Sequence, residues 1–296
     1  MNCRLCPCNC GIDRSKTSGR CHSGLLPNVA KIMLHHWEEP CISGNNGSGA
    51  VFFSGCNMHC IFCQNHDLND GTAGIPYDSD MLSEVFLSLQ EKGAHNINLV
   101  TPSPHIETII PAIEKSRLQG LTIPIVYNTS SYEKVDTLKR LEGLIDVYMP
   151  DYKYRSSKLS GMFSGCQDYA EYAEPAIIEM FRQVGLLHLN KDGLAEKGIV
   201  IRHLVLPGCI FDTRDVLDHI HDTFPADIHI SLMGQYTPND QVSGLSFLNR
   251  RITRREYDNA IEYALTLGFK NLMIQELCSA ESSFTPDFSF NEFTIS

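Results

Sequence analysis

The chain has 296 residues, 43% hydrophobic and 20% charged, enough to bury a full core without disulfide staples. Lys and Arg total 24 against 35 Asp and Glu, a formal net charge of −11, which argues against a nucleic-acid binder that works by neutralising phosphates. No apolar run reaches transmembrane length, and the start, Met1-Asn2-Cys3-Arg4, has no apolar signal core, so a reducing cytoplasm without membrane contact is expected.

Twelve cysteines in such a compartment read, where clustered, as metal ligands or redox groups. The first cluster falls in residues 1–42, a stretch with Pro, Gly and Asn and little periodicity, expected to be a small metal-organised appendage. Cys3-x2-Cys6-x3-Cys10-x10-Cys21 supplies four thiolates, enough for tetrahedral zinc or a closed second [4Fe–4S] cluster. Cys8 is an extra thiol, and His22 a substitute ligand. Zinc suits a segment that lacks a core of its own. A second cluster would instead suggest electron relay. Cys41, Cys166, Cys209 and Cys278 are scattered and read as buried structural thiols.

From about residue 50 short apolar runs alternate with amphipathic stretches. In chain order the predicted elements are strand Ala50–Phe53, helix Asp80–Lys92, strand Asn96–Val100, helix Ile106–Leu118, strand Ile123–Asn128 and helix Tyr132–Leu141. There follow strand Asp146–Met149, helix Ala170–Val184, strand Ile199–Leu206, helix Thr213–Thr223, strand Asp227–Met233, helix Thr253–Leu267 and strand Asn271–Gln275. Thr253 and Glu256 have capping-box spacing, and Gly93, Gly120, Gly143, Gly185 and Gly268 follow helix ends. Residues 186–198 read as an excursion before the fifth strand, and residues 279–296 as an extended tail.

Strand–helix alternation of this kind predicts βαβ units and a parallel sheet, closing partway into a (β/α)6-type TIM barrel over residues 43–278. Barrel chemistry sits at the C-terminal strand ends. The unusual polar residues of the chain do follow strands: Ser54-Gly55-Cys56, Thr101-Pro102-Ser103, Asn128-Thr129-Ser130, Asp151-Tyr152-Lys153, Pro207-Gly208 and Gly234-Gln235-Tyr236.

After the first of these strands comes Cys56-x3-Cys60-x2-Cys63. Three thiolates this close can hold three irons of a cubane and leave the fourth iron open to a chelating small molecule. Gly55 lets the backbone approach. Zinc completed by His59 or His66 is the competing metal, and three buried thiols without metal the plain alternative.

This spacing, with Phe62 before the last cysteine, resembles the signature of radical S-adenosylmethionine (SAM) enzymes. Gly47–Cys56, Cys63–Asn65, Asn96–Pro102, Val126–Ser130 and Ile201–Gly208 resemble its pyruvate formate-lyase activating enzyme-like branch, over essentially the whole chain. Related chains also begin as Cys3-Arg-Leu-Cys-Pro7 does. The resemblance implies a SAM molecule chelated at the open iron, reductive cleavage to a 5′-deoxyadenosyl radical, and hydrogen abstraction from a substrate. Cys56, Cys60 and Cys63 are then the catalytic cluster ligands.

The family's Gly-Gly-Glu-like segment is replaced here by Thr101-Pro102-Ser103-Pro104, whose carbonyls could still accept from the SAM amino group. Asn128 and Ser130 match positions that meet the methionine moiety or ribose. Lys153 in Asp151-x-Lys153 matches one that pairs with the SAM carboxylate. Asp151 would hold a cation or balance charge. An exposed Asp151–Lys153 ion pair without function is the alternative.

Alternation in the fifth strand turns one of Arg202 and His203 inward. Arg202, costly to bury without an anion, is the better SAM or substrate contact. His203 is as readily a core histidine. Gln235 and Tyr236 are weaker candidates.

Three functions compete. One is activation of a glycyl radical enzyme. Another is radical SAM modification of a peptide or small molecule. The third is a non-catalytic iron–sulfur or zinc module. The first two need a low-potential donor such as flavodoxin or ferredoxin.

Overall fold

The computed structural model describes residues 2–275 together with Leu277, Pro286 and Phe288. Cys278 and, apart from Pro286 and Phe288, the tail expected over 279–296 lie outside the described residues.

In chain order the elements are β1 (Asn28–His35), α1 (Pro40–Ser43), β2 (Ser48–Phe53), β3 (Ile75–Pro76), α2 (Ser79–Glu91), β4 (Ile97–Val100) and α3 (Ile106–Leu118). Next come β5 (Ile125–Thr129), α4 (Val135–Lys139), β6 (Val147–Pro150), α5 (Ser157–Ser164), α6 (Tyr169–Val184), β7 (His188–Leu189) and β8 (Ala195–Leu204). The chain continues through α7 (Ile210–Thr223), β9 (His229–Met233), α8 (Arg254–Thr266) and β10 (Asn271–Ile274).

Strands β2, β4, β5, β6, β8, β9 and β10 pair in parallel in that order. The expected α/β partial barrel is therefore present as an open sheet, with seven parallel strands among the described residues and β10 and β3 at its two ends. All seven predicted strands and all six predicted helices are found, most within a few residues of their expected bounds, although α4 is only five residues long. The capping box forms, with Thr253 Oγ1 accepting from Glu256 N at 3.2 Å and the Glu256 carboxylate accepting from Thr253 N at 2.9 Å. The excursion at 186–198 is a small hairpin, β7 lying antiparallel on the start of β8.

Two elements depart from expectation. Residues 28–35 form β1, which runs antiparallel to β2 and carries β3 on its outer side, so the sheet begins inside the stretch assigned to the appendage. Its register slips between Val29 and Lys31, and this irregularity blurs the period-2 pattern that would reveal it. Helix α5 is the other. Its eight residues include four serines and glycines, and its Ser156 cap and left-handed Gly165 stop do more to define it than hydrophobic period.

The pleat divides the strand side chains between two faces. Val51, Phe53, Ile97, Leu99, Ile125, Tyr127, Tyr148, Ile199 and Ile201 pack outward against the helices in the main core. Ala50, Phe52 and Val100, and Val126, Val147, Met149 and Val200, belong to smaller clusters on the inner face. Helix α1 closes the lower part of that face, its Cys41 and Ile42 packing with Val126, Val147 and Val200. Asn96 anchors it by donating Nδ2–H to the Ile42 carbonyl at 2.7 Å. Asn98, Asn128 and Arg202 have the parity of the inner face, which places them above this floor.

Candidate functional site

A cavity of about 220 Å³ opens over the inner face at the C-terminal strand ends. Its walls include Cys56, Cys60 and Cys63, then Thr101 after β4, Asn128 and Ser130 at β5, Asp151 and Lys153 after β6, Arg202 on β8 and Gln235 after β9. Pro102 and Ser103 are not among its lining residues.

The cysteine loop is held by contacts on every side. Phe62 is buried and packs edge-on against Tyr154 and Phe163, with Tyr236 beyond, at centroid separations of 6.2–6.3 Å. Asn57 donates Nδ2–H to the Tyr132 carbonyl at 2.9 Å. Ile61 N donates to Phe163 O at 2.9 Å. Gly55 has φ +92, and a Cβ there would stand 2.2 Å from Ser23 Oγ and 2.5 Å from the Cys21 carbonyl oxygen, so only glycine fits.

His59, Thr101 and Ser131 take positive φ of 57°, 61° and 65° without being glycine. Such strain is retained where surrounding structure overrides it, commonly at functional sites.

The thiols sit where water is scarce. Burial raises the Cys56 thiol and pushes Cys63 up to about 12, with the neighbouring Cys60 adding to both. Free thiolates are thus disfavoured at Cys56 and Cys63, and positive charge such as iron provides would offset that cost. Ser164, at the end of α5, donates Oγ–H to Cys60 Sγ at 3.0 Å and lies 2.9 Å from the Tyr154 hydroxyl.

Beside the thiols lies a buried charge cluster. Arg202 Nε donates to Asp151 Oδ1 at 2.8 Å, Nη2 to Asn128 Oδ1 at 2.7 Å and Nη1 to Glu38 Oε2 at 3.2 Å. Glu39 Oε2 stands 3.8 Å from Nη1. Lys153 Nζ donates to Asp151 Oδ2 at 2.6 Å. The Asp151 and Lys153 side chains are only 17% and 19% exposed, so this is no solvated surface pair.

Burial works against the charge of Asp151, but Arg202 and then Lys153 outweigh it and hold the carboxyl below its usual range. Burial raises Glu38 and Glu39 despite Arg202. Glu38 and Glu39 carry no sequence motif. The β1–α1 loop delivers them, and their one signal in the sequence is charge next to a strand whose pattern is blurred.

Of the remaining residues singled out from the sequence, Gln235 lines the cavity and His203, Tyr236 and Ser103 do not. His203 is a core histidine, Nδ1 2.7 Å from the Tyr152 carbonyl and Nε2 3.0 Å from Thr213 Oγ1, and burial takes it down to about 4. Tyr236 is buried, donating to the Leu248 carbonyl at 2.8 Å. The backbone carbonyl of Gln235 accepts from Gln64 Nε2 at 3.2 Å. Ser103 turns into a closed pocket, where its hydroxyl donates to Glu133 Oε1. That oxygen also accepts from Thr129 Oγ1 at 2.7 Å and Tyr127 OH at 3.2 Å. Burial pushes Glu133 up to about 7.

Of the N-terminal cysteines, four share the lining of one cavity, though among the described residues no three Cys, His, Asp or Glu side chains converge as a metal site. Cys3, Cys6, Cys10 and Cys21 line one small cavity, and Cys8 does not. Cys8 Sγ instead lies 3.7 Å from the Asn57 carbonyl. His59 faces the Arg20 carbonyl through Nε2, and His66 Nε2 pairs with Asp67 at 3.1 Å.

Residues 42–167 match the family model of a 4Fe-4S single cluster domain. The cysteines in that stretch are Cys56, Cys60, Cys63 and Cys166, and Cys166 donates to the Ser164 carbonyl at 3.3 Å. The match therefore assigns a [4Fe–4S] cluster to the part of the chain that carries the three-thiol loop. An uncharacterized protein of Methanocaldococcus jannaschii is 26% identical over 273 residues, 89% of this chain and 74% of that protein.

SuiB of Streptococcus suis bound to precursor peptide SuiA has a TM-score of 0.51 at 14% identity, over 76% of this chain and 48% of SuiB. SuiB bound to S-adenosylmethionine gives 0.50 at 14% identity, over 76% and 49%. Methylornithine synthase gives 0.51 at 14%, over 74% and 60%. The chain spans about half to three-fifths of these solved structures and shares their fold. Among the described residues no helix is long and apolar enough to cross a membrane.

Proposed function

We propose that this chain is a radical SAM enzyme whose [4Fe–4S] cluster is carried by Cys56, Cys60 and Cys63. The observation that carries the reading is one cavity shared by these three thiols and the polar ends of five further parallel strands. The 4Fe–4S domain match and the fold held in common with a SAM-bound protein support it. When bound, such a cluster supplies the electron that splits SAM into methionine and a 5′-deoxyadenosyl radical, which abstracts hydrogen from the substrate.

The chain's own residues orient the reactant and keep water out. Lys153 spends one of its three N–H donors on Asp151 and can direct the others to the SAM carboxylate. Arg202 is already committed to Asp151, Asn128 and Glu38, so it acts by fixing those acceptors. Asn128 keeps its place through Arg202 and Glu38, and Thr101 presents its carbonyl from a positive-φ turn. Phe62 and Met58, both buried, shield the thiol loop.

The substrate we propose is a polypeptide segment, either a glycine-bearing loop of a glycyl radical enzyme or a free peptide. An open sheet leaves lateral room for an extended chain, and SuiB, which shares the fold, was solved with a peptide. A low-potential donor of the flavodoxin or ferredoxin type would reduce the cluster.

The test is anaerobic reconstitution, iron and sulfide analysis, and chromatography of SAM after reduction. Cluster-dependent formation of 5′-deoxyadenosine is expected, and the Cys56→Ala, Cys60→Ala, Cys63→Ala triple variant should form none. A triple variant that still cleaves SAM sinks the assignment. A glycyl radical signal in electron paramagnetic resonance separates the two polypeptide substrates.

A further inference from the structure

The first 27 residues have almost no hydrophobic reason to fold. Among the described residues of this stretch the buried ones are Cys6, Pro7, Cys21, Ser23 and Pro27, while Leu25 and Leu26 are 65% and 41% exposed. A segment like this needs another source of order. The backbone nevertheless doubles back tightly: Cys3 N donates to Ile12 O at 2.7 Å, Gly11 N to Cys3 O at 2.9 Å and His22 N to Gly19 O at 2.9 Å. These turns bring Cys3, Cys6, Cys10 and Cys21 around a single cavity.

Arg14 lines the same cavity. Its Nη1 donates to the Pro104 carbonyl, but Nε and Nη2 are sealed from solvent with no partner. A buried cation with idle donors is expensive unless negative charge faces it. Neutral thiols offer none.

The room available favours the smaller of the two metal centres that four thiolates can hold. The cavity measures about 10 Å³, close to the space of a single small sphere. Closing four thiolates on one ion asks for a smaller displacement of these side chains than opening room for an eight-atom cubane would. Among the described residues no three Cys, His, Asp or Glu side chains already converge as a metal site, so an arriving ion would have to draw these thiols inward.

We propose that Cys3, Cys6, Cys10 and Cys21 bind one zinc ion, and that Arg14 compensates the centre by N–H···S bonds. Four thiols lose their protons on binding Zn²⁺, which leaves a tetrathiolate of net charge −2 facing the guanidinium. The site is independent of the cluster on Cys56, Cys60 and Cys63. It stands directly behind that cluster's loop: Arg20 bonds to the Asn57, Met58 and Ser164 carbonyls, and the Cys21 carbonyl abuts Gly55.

The test uses the full chain carrying Cys56→Ala, Cys60→Ala and Cys63→Ala, which removes the other metal site. Elemental analysis should return about one zinc per chain, with four sulfur neighbours at about 2.3 Å by X-ray absorption. Iron and sulfide near four per chain, or no bound metal, overturns the proposal. Should that variant fail to fold, Cys10→Ser with Cys21→Ser in the otherwise native chain must lose zinc, and retention overturns it equally. Arg14→Met should speed zinc loss to a chelator about tenfold or more, with Arg14→Lys partly restoring it. Unchanged release refutes the role of Arg14.

Discussion

Replacing Arg202 with methionine tests the charge cluster most directly. The arginine side chain is 11% exposed and bonds to Asp151, Asn128 and Glu38, with Glu39 3.8 Å away. Methionine keeps part of the stem and removes the charge. Removing one partner of a buried ion pair costs about 3–5 kcal/mol, because the other charge is stranded. Lys153 stays 2.6 Å from Asp151 and softens the loss, so about 3 kcal/mol is expected at pH 8, at the lower end of that range.

The sign with pH follows from the carboxylates. The depressed Asp151 carboxyl contributes stability that is present above its unfolded pKa of about 3.9 and lost as pH falls through its lower folded value. Without Arg202, Asp151, Glu38 and Glu39 all hold protons to higher pH. The gap between the native chain and the variant therefore widens from pH 5 to pH 8. Urea unfolding at both pH values, under anaerobic conditions, measures it. A loss below about 1 kcal/mol, the level of exposed pairs, or an equal loss at both pH values, would refute the reasoning.

Glu133→Gln should abolish a second pH effect. A carboxyl raised to about 7 contributes stability present below its unfolded pKa of about 4.3 and lost as pH rises through 7. That loss is about 4 kcal/mol in the native chain, and the variant's stability should fall by that much less across the window. Gly55→Ala pushes a methyl against Ser23 Oγ and the Cys21 carbonyl, with overlap costing about 1–3 kcal/mol. A midpoint equal to that of the native chain would show that the contact is relieved. Ser164→Ala removes the hydroxyl that donates to Cys60, so the reduction potential of a cluster there should become more negative in a redox titration. An unmoved potential argues against the bond.

Much of the fold is legible in the sequence because its signals are local. Helices α2, α3, α6, α7 and α8 announce themselves by apolar period, Thr253 with Glu256 by a cap, and five glycines by helix ends where φ is positive. Strand β1 is not legible, since a register slip breaks its alternation. Cys56, Cys60 and Cys63 stand out because their ligand spacing is confined to one short loop of chain.

Glu38 and Glu39 are invisible as site residues. They reach Arg202 from more than 160 positions away, and only the antiparallel pairing of β1 with β2, which sends the loop into α1 across the inner face, brings them there. Ser103 misleads, since its neighbour Thr101 does line the cavity while Ser103 turns to Glu133. Alternation says that one of Arg202 and His203 points inward but not which, and the cost of burying an arginine without an anion is what favours Arg202.

The sequence by itself determined the order of strands and helices, the polar strand ends and the two thiol groups, since each depends on residues close together along the chain. Only the tertiary structure decided which polar residues share a cavity, how Arg202 is compensated, and that Arg14 brings two idle donors to four thiols. Burial and charge pairing at those places are set by segments distant in sequence, and burial decides what a charge costs.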